Sequence, residues 1–303
     1  MKKYSIIIPH FNSSASLKVL LRSIPVTDDI QVIVVDDNST VDADKLQEII
    51  NSNPHVEFHV NTAGVQSAGA CRNIGLRYAE GKWVIFADAD DYFLHDFHLV
   101  LERFFESSFD VIYFVPTSIE LGRNEESKRH VNCENRIMAY RHCPDRRHEL
   151  WLRFRYYSCW SAMIRRELLL KHNIDFEEVQ VANDVMFSVK VGLCAEKIGT
   201  SQDVIYCITK SDTSLTAHVD PERLRMRRDV HVRRYLFLKE HLSPSDWKLL
   251  DSSGGEFLAG IITKKPGIAF IVESMIFFRK RGVRLFSRRH LNLVYLAREQ
   301  RGK

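Results

Sequence analysis

The chain has 303 residues, 45% of them hydrophobic and 27% charged, with a formal net charge of +4. That is enough to bury one large core or two smaller ones, while no apolar run reaches the roughly 18 residues of a membrane span. The six cysteines are scattered, with no CxxC pair, which excludes a tight disulfide framework and reads as reduced thiols in the cytoplasm.

In chain order, apolar runs and turn signals predict strands at 4–9, 31–36, 56–60, 83–88 and 110–115. The first begins by Tyr4, so no signal peptide is expected ahead of it. Amphipathic stretches at 15–24, 43–50, 68–79 and 96–106 fall between the strands, the first behind the capping candidates Ser13 and Ser14. Alternating strand and helix predicts an α/β fold with a doubly wound, mostly parallel sheet flanked by helices. The strands are continuous Ile, Val and Phe runs, as strands covered on both faces should be. The stretch 120–149 is polar, rich in Arg and His and without clear periodicity, and reads as a long loop at the side of the site.

In such a sheet, ligands bind in the crevice outside the carboxyl ends of the parallel strands. Polar residues gather at those ends: His10 and Asn12, then Asp36, Asp37 and Asn38, then Asn61 and Thr62. The fourth strand, WVIFADADDYF, runs directly into Asp88, Asp90 and Asp91. Clustered carboxylates at the tip of a buried strand repel one another and raise their own pKa values. A hard divalent cation, Mg2+ or Mn2+, is their natural partner, and it shares its remaining positions with phosphate oxygens. A solvated turn is the plainer reading of this segment alone, but four strand ends converging on one crevice favour a site.

Charge is uneven. From Val219 to Lys303 there are 19 Lys and Arg against 9 Asp and Glu, so the basic excess lies in a C-terminal extension expected to be mainly helical. There the run 268–278 (IAFIVESMIFF) is followed by Arg279, Lys280, Arg281, Arg284, Arg288, Arg289 and Arg298. Basic residues beside apolar ones suit an anionic membrane surface; a helical subdomain that packs the apolar run and solvates the charges is the alternative. Nucleic acid is not expected as a partner.

The segments SIIIPHFNSSASLKVLLRSI, VIVVDDNST and GVQSAGACRNIGLRYAEGKWVIFADADDYF, followed by CWSAMIRRELLLKHNIDFEEVQVANDVMFSVKVG, resemble family 2 glycosyltransferases. These are inverting enzymes of the GT-A fold that use nucleotide sugars. The resemblance implies a transferase domain over 1–218, with a donor half at 1–117 and an acceptor half at 118–218, and the basic extension at 219–303. It makes Pro9, Phe11, Asn12, Asp37, Arg72 and Asp88 donor-binding, with a UDP-sugar favoured. Asp88 and Asp90 stand in the family's DxD motif and, with Asp91, are the implied ligands of Mn2+ or Mg2+. Asp184 is the implied general base, in a pair that reads Asn183-Asp184 where the family usually has glutamate before the aspartate. Trp160 and Asn183 are implied on the acceptor side, and His218 is either a loop residue or a late neighbour of the diphosphate.

The implied activity is metal-dependent, inverting sugar transfer to a hydroxyl of a glycan or lipid-linked glycan in surface polysaccharide synthesis. It is expected in the cytoplasm, peripheral at the inner face of the cell membrane. Two alternatives stand beside it. A sugar nucleotidyltransferase would want a glycine-rich loop with Arg and Lys after the first strand, which HFNSSAS does not offer. An idle membrane-bound nucleotide-sugar binding protein has only Asn183 as its hint.

Overall fold

The run YSIIIPH forms strand β1 (Tyr4–His10), at the centre of the parallel half of a nine-stranded sheet. The structure is a computed structural model that describes residues 2–41, 43–123, 125–210, 220–262 and 266–287. The chain divides into two compact units, residues 1–212 and 213–303.

In the first unit, β1 pairs in parallel with β2 (Ile30–Asp36) on one side and β4 (Trp83–Phe86) on the other, and β3 (Val56–Val60) lies parallel beyond β2. Helices α1 (Ser14–Ser23), α2 (Ala43–Ser52) and α3 (Ala68–Tyr78) link them. The unbroken apolar run of β1 has the expected cause. Ile7 packs with Cys71 and Ile74 of α3, whereas Ile6 and Ile8 pack on the opposite face with Leu17, Leu20 and Leu21 of α1. Both faces of the strand are therefore dry.

The remainder of the sheet is mixed. After the short β5 (Tyr92–Phe93) and α4 (Phe97–Glu102) comes β6 (Val111–Glu120), which does not join β4 directly. Strand β8 (Ala162–Arg165) lies between them, antiparallel to both. Long β9 (Ile198–Lys210) runs parallel to β6 and pairs antiparallel with β5. The fourth predicted strand stops at Phe86 because the chain turns at the aspartates, where the Asp91 N–H donates to the Asp88 carbonyl (3.0 Å). The fourth predicted helix is shorter than expected: left-handed Asp96 (φ 62°) cannot join its start, and after Glu102 the backbone tightens into turns in which Phe104 and Phe105 donate to the carbonyls of Leu101 and Glu102.

The expected loop at 120–149 is largely helical instead. It contains β7 (Glu125–Glu126), α5 (Val131–His142) and the start of α6 (Arg146–Arg155), which Asp145 caps through the His148 N–H. The helical period is hidden because α5 fully buries only Cys133 and Ile137. In α6 a charged residue, Arg153, turns inward and donates to the carbonyls of Gly192, Ala195 and Glu196. Helices α7 (Arg166–Lys171) and α8 (Asp184–Cys194) complete this side, with Phe187 and Val191 of α8 in the same core as Leu152 of α6.

The second unit is helical, as expected: α9 (Pro221–His241), α10 (Pro244–Leu250), α11 (Gly254–Ile262) and α12 (Ile268–Lys280). Its core gathers Leu224, Val232, Tyr235, Phe257, Ile261, Phe270, Phe278 and Val283. Buried Arg234 is matched there by Glu256 at 2.9 Å. Arg288, Arg289, Arg298 and His218 lie outside the described residues.

Gly81 leads into β4, and a Cβ there would lie 2.5 Å from the Ser5 N and 2.6 Å from the Tyr4 carbonyl carbon. Backbone atoms of a central strand cannot step aside. Gly81→Ala is expected to destabilise the first unit by about 1 to 3 kcal/mol, read as a fall in its thermal midpoint; an unchanged midpoint would refute this close approach.

Candidate active site

Register brings the predicted site residues to one edge. His10 pairs with Asp36 and Asp36 with Val60, so β1, β2 and β3 finish together, while β4 stops three residues earlier, opposite Ile7, and hands over to the acidic turn at the same edge. Because β8 runs the other way, the residues that precede it arrive at this same edge, and Trp160 bridges Phe86.

The ends of β1 and β2 are tied by side chains. His10 Nδ1 lies 2.7 Å from Asp36 Oδ1, and Asp36 also accepts from the Ser39 N–H and hydroxyl. Asn12, left-handed at φ 49°, accepts the N–H groups of Thr40 and Val41 on its side-chain oxygen, both at 2.9 Å. Asp36 and Asn12 thus hold the two loops in shape, leaving Phe11 exposed on the rim and Pro9 half-buried below it. Asp37 is different. It is buried, and Asn61 Nδ2 donates to it at 2.6 Å. Burial raises its pKa, and the Asn61 amide, the Cys71 thiol and the Ser67 N–H pull it partly back.

Arg72 connects the two halves of the edge. It sits in the second turn of α3, whose first turn is capped by Ser67 accepting from the Ala70 N–H. Its buried guanidinium donates to Asp88 Oδ1 at 2.5 Å and to Asn183 Oδ1 at 2.7 Å, and lies 5.2 Å from the Phe176 ring centre. Burial works against its charge, but the nearby carboxylates of Asp88 and Asp184 hold the guanidinium protonated. Asp184, half-buried, is the first residue of α8 directly after Asn183. Ala182, the residue before this pair, is left-handed at φ 57°, a backbone cost found where surrounding structure dictates the conformation.

The three aspartates gather as expected, with ligand oxygens within 4.8 Å of one another, but they are not equivalent. Asp91 is buried and both its oxygens are taken, Oδ2 by the Tyr206 hydroxyl and Oδ1 by the Thr209 N–H, each at 2.8 Å. Tyr206 also accepts the Asp88 N–H at 2.8 Å, so one hydroxyl braces both ends of the acidic turn. The Tyr206 ring stacks on Trp160, 5.8 Å between centres and 13° from parallel. Asp90 is exposed as a residue while its carboxylate is crowded by the chain; loss of water first and the Asp88 charge second raise its pKa. The same two causes, with Asp90 added, raise that of Asp91 well above the carboxylate range.

A divalent cation fits this donor set. The oxygens are hard, Asp90 faces solvent, and the cluster keeps more negative charge than Arg72 alone offsets. Cys143, Asp145 and His148 form a second gathering within 4.8 Å. It carries no such case: Asp145 is spent on capping α6, and a helix N-terminus repels a cation.

Sequence reading missed Tyr206 and Thr209, although both brace the acidic turn. Tyr206 sits inside the apolar stretch VIYCI, where an aromatic carries no sign of a polar task. The β-branched richness of 198–210 could have revealed the strand, though not the hydroxyl's target.

The model of the family Glycosyl transferase family 2 matches residues 5–172. The poly(ribitol-phosphate) beta-N-acetylglucosaminyltransferase TarS of Staphylococcus aureus is 27% identical over 236 residues, covering 73% of this chain and 38% of its own length. A poly(ribitol-phosphate) beta-glucosyltransferase of Bacillus spizizenii is 26% identical over 241 residues, 73% of this chain and 34% of its own. The chain thus spans little more than a third of these relatives. The structure of S. aureus TarS 1–349 in complex with UDP-GlcNAc superposes with a TM-score of 0.62 at 25% identity, covering 86% of this chain and 73% of that one. The fold is GT-A, as the sequence resemblance implied.

Tyr206→Phe is expected to leave the Asp88 amide and Asp91 without their shared partner. Such unsatisfied buried groups cost about 1 to 3 kcal/mol, so the thermal midpoint should fall while the Trp160 stacking surface is kept. A midpoint equal to that of the parent would refute the bracing role.

Proposed function

This chain belongs to glycosyl transferase family 2, and from that membership we propose that it moves a sugar from a UDP-sugar to a hydroxyl of a glycan or lipid-linked glycan. The reaction inverts the anomeric carbon and serves surface polysaccharide synthesis. The observation that carries this reading is the Arg72 bridge, which joins an acidic turn suited to a diphosphate's counter-ion to the helix end bearing Asp184. Relatives named for N-acetylglucosaminyl and glucosyl transfer, and a TarS complex with UDP-GlcNAc, support a hexosyl or hexosaminyl donor carried on UDP.

In this mechanism Asp37 accepts the N–H of the uracil ring, while Pro9 and Phe11 line the nucleoside side, with Asn12 holding the loop that shapes it. Asp90 and Asp88 would hold Mn2+ or Mg2+, which supplies charge stabilisation to the departing nucleotide when bound. Asp91 keeps the turn in form through Tyr206 and Thr209. Asp184 accepts the proton of the acceptor hydroxyl as that oxygen attacks the anomeric carbon from the side opposite the diphosphate. Arg72 faces the donor through Asp88, and Asn183 keeps its guanidinium aimed there without adding a second negative charge. Trp160 offers a half-buried aromatic face to the acceptor sugar. Transfer to a lipid-linked acceptor would take place at the inner membrane face; among the described residues no helix is long and apolar enough to cross a membrane.

UDP release from a panel of UDP-sugars, with and without Mn2+, tests the reading. Asp184→Asn is expected to bind UDP normally and to lose about 10² to 10⁴-fold in transfer; full activity in that variant would remove Asp184 as the base. Loss of UDP release by every donor in the parent protein would instead favour a binding protein.

The raised pKa of Asp90 has a second consequence. Its protonated form is favoured by the fold, so it stabilises the metal-free protein at low pH and this stabilisation is lost as pH rises through the raised value. Protons and Mn2+ compete for the same oxygens. Calorimetry should therefore find Mn2+ affinity falling as pH is lowered through that window, and Asp90→Asn should abolish binding while raising the metal-free thermal midpoint at neutral pH. Undiminished Mn2+ uptake by Asp90→Asn would overturn the ligand assignment.

A further inference from the structure

Helix α12 is apolar on two opposite sides. Phe270, Ser274 and Phe278, four residues apart, face the core of the second unit and are buried. Two residues earlier in each turn, and so about 200° around the helix, stand Ile268, Val272 and Ile276. These three are 81%, 48% and 52% exposed. A helix apolar on both sides is expected when both are covered, and among the described residues the outer side is open. The stripe does not fade into a polar end. Arg279 and Lys280, three and four residues beyond Ile276, continue the same side and are exposed, with Arg281 following. Glu273, the acid of this helix, is drawn towards α9, where it pairs with Arg228 at 2.9 Å and Arg225 at 3.3 Å. Its charge is thereby neutralised beside the stripe.

We propose that the Ile268–Val272–Ile276 stripe of α12 docks the chain onto an anionic phospholipid surface, lying in the interfacial plane with Arg279 and Lys280 against the headgroups. The proposal rests on the reading that the chain works at a membrane, and names the surface that meets it. At 13 residues the helix is about 20 Å long, too short to span a bilayer and long enough to lie on one. Charge selects lipid over a second copy of the same stripe. In an antiparallel pair each cluster of cations would face the partner helix's positive N-terminus, and in a parallel pair the clusters would face each other. An anionic surface meets the stripe and its cations together, and the 19 Lys and Arg against 9 Asp and Glu from 219 onward extend that attraction.

The test is co-sedimentation of the full chain with vesicles of phosphatidylglycerol and phosphatidylcholine or of phosphatidylcholine alone, run beside UDP release in solution and mass by light scattering. The parent protein is expected to bind the anionic vesicles, to release from them as salt rises and to ignore the neutral ones. Val272→Glu with Ile276→Glu should weaken anionic binding about tenfold or more, and Arg279→Glu with Lys280→Glu should weaken it at low salt. Both variants alter exposed positions, and UDP release equal to the parent's shows that they fold. Parent protein that stays in the supernatant, or a stripe variant that binds as well as the parent, overturns the proposal. So does a parent dimer that the stripe variant splits without any vesicle binding, which assigns the stripe to a second copy. Vesicle binding with no UDP release keeps the docking surface and defeats the transferase reading; the reverse result keeps the transferase and defeats the docking surface.

Discussion

A guanidinium sealed at the edge of the sheet is the constraint around which the first unit is arranged. Arg72 is buried, and an isolated charge in such surroundings is untenable unless oxygen atoms reach it with good geometry. Two do, from Asp88 and Asn183, which lie 16 and 111 residues away in sequence. The acidic turn and the start of α8 must therefore arrive together, or the arginine is left unmatched. Close packing enforces the same approach, because Gly69 at the start of α3 leaves no room for a Cβ against the Glu177 carbonyl and Asn183. Ala182, directly before Asn183, is left-handed.

Behind the arginine, Tyr206 performs the matching task for the acidic turn. Three carboxylates at a strand tip would spring apart without a brace, and a single hydroxyl takes both the Asp88 N–H and one oxygen of Asp91. The brace also divides labour among the acids. Asp91, fully bonded, fixes the backbone, whereas Asp90 remains an exposed residue. Because the Tyr206 ring stacks on Trp160, one β9 residue both braces the acidic turn and sets the aromatic beside it.

What was legible in the sequence depended on distance along the chain. The first four strands and three helices could be read because each is driven by a local apolar pattern, and β1 buries both of its faces. Strand ends follow from strands, so the crevice and its aspartates were readable too. Asn12 was legible as a crevice residue, but not its bonds to Thr40 and Val41, since a left-handed asparagine leaves no periodic trace. The helices at 131–142 and 146–155 were hidden by a narrow buried stripe and an inward arginine. The contacts of Tyr206 span 115 and 118 residues, and nothing local announces a partner at that range. In the second unit, the basic excess was plain from composition, whereas the two-sided character of α12 emerged only once Phe278 was seen to point inward.

The antiparallel strand β8 carries a consequence of its own. Since it slots between β4 and β6, the chain must depart after β6, build α5 and α6 outside the sheet and come back directly beside β6, antiparallel to it. Both ends of that excursion are riveted to neighbouring strands, and α6 is fastened through Arg153 to the carbonyls of Gly192 and Ala195 at the far end of α8, so a change of length within its helices would be passed on to the helix that begins with Asp184. Changes of length are therefore borne most cheaply in the short turn at 143–145, between α5 and α6, where only the cost of closing a loop has to be met.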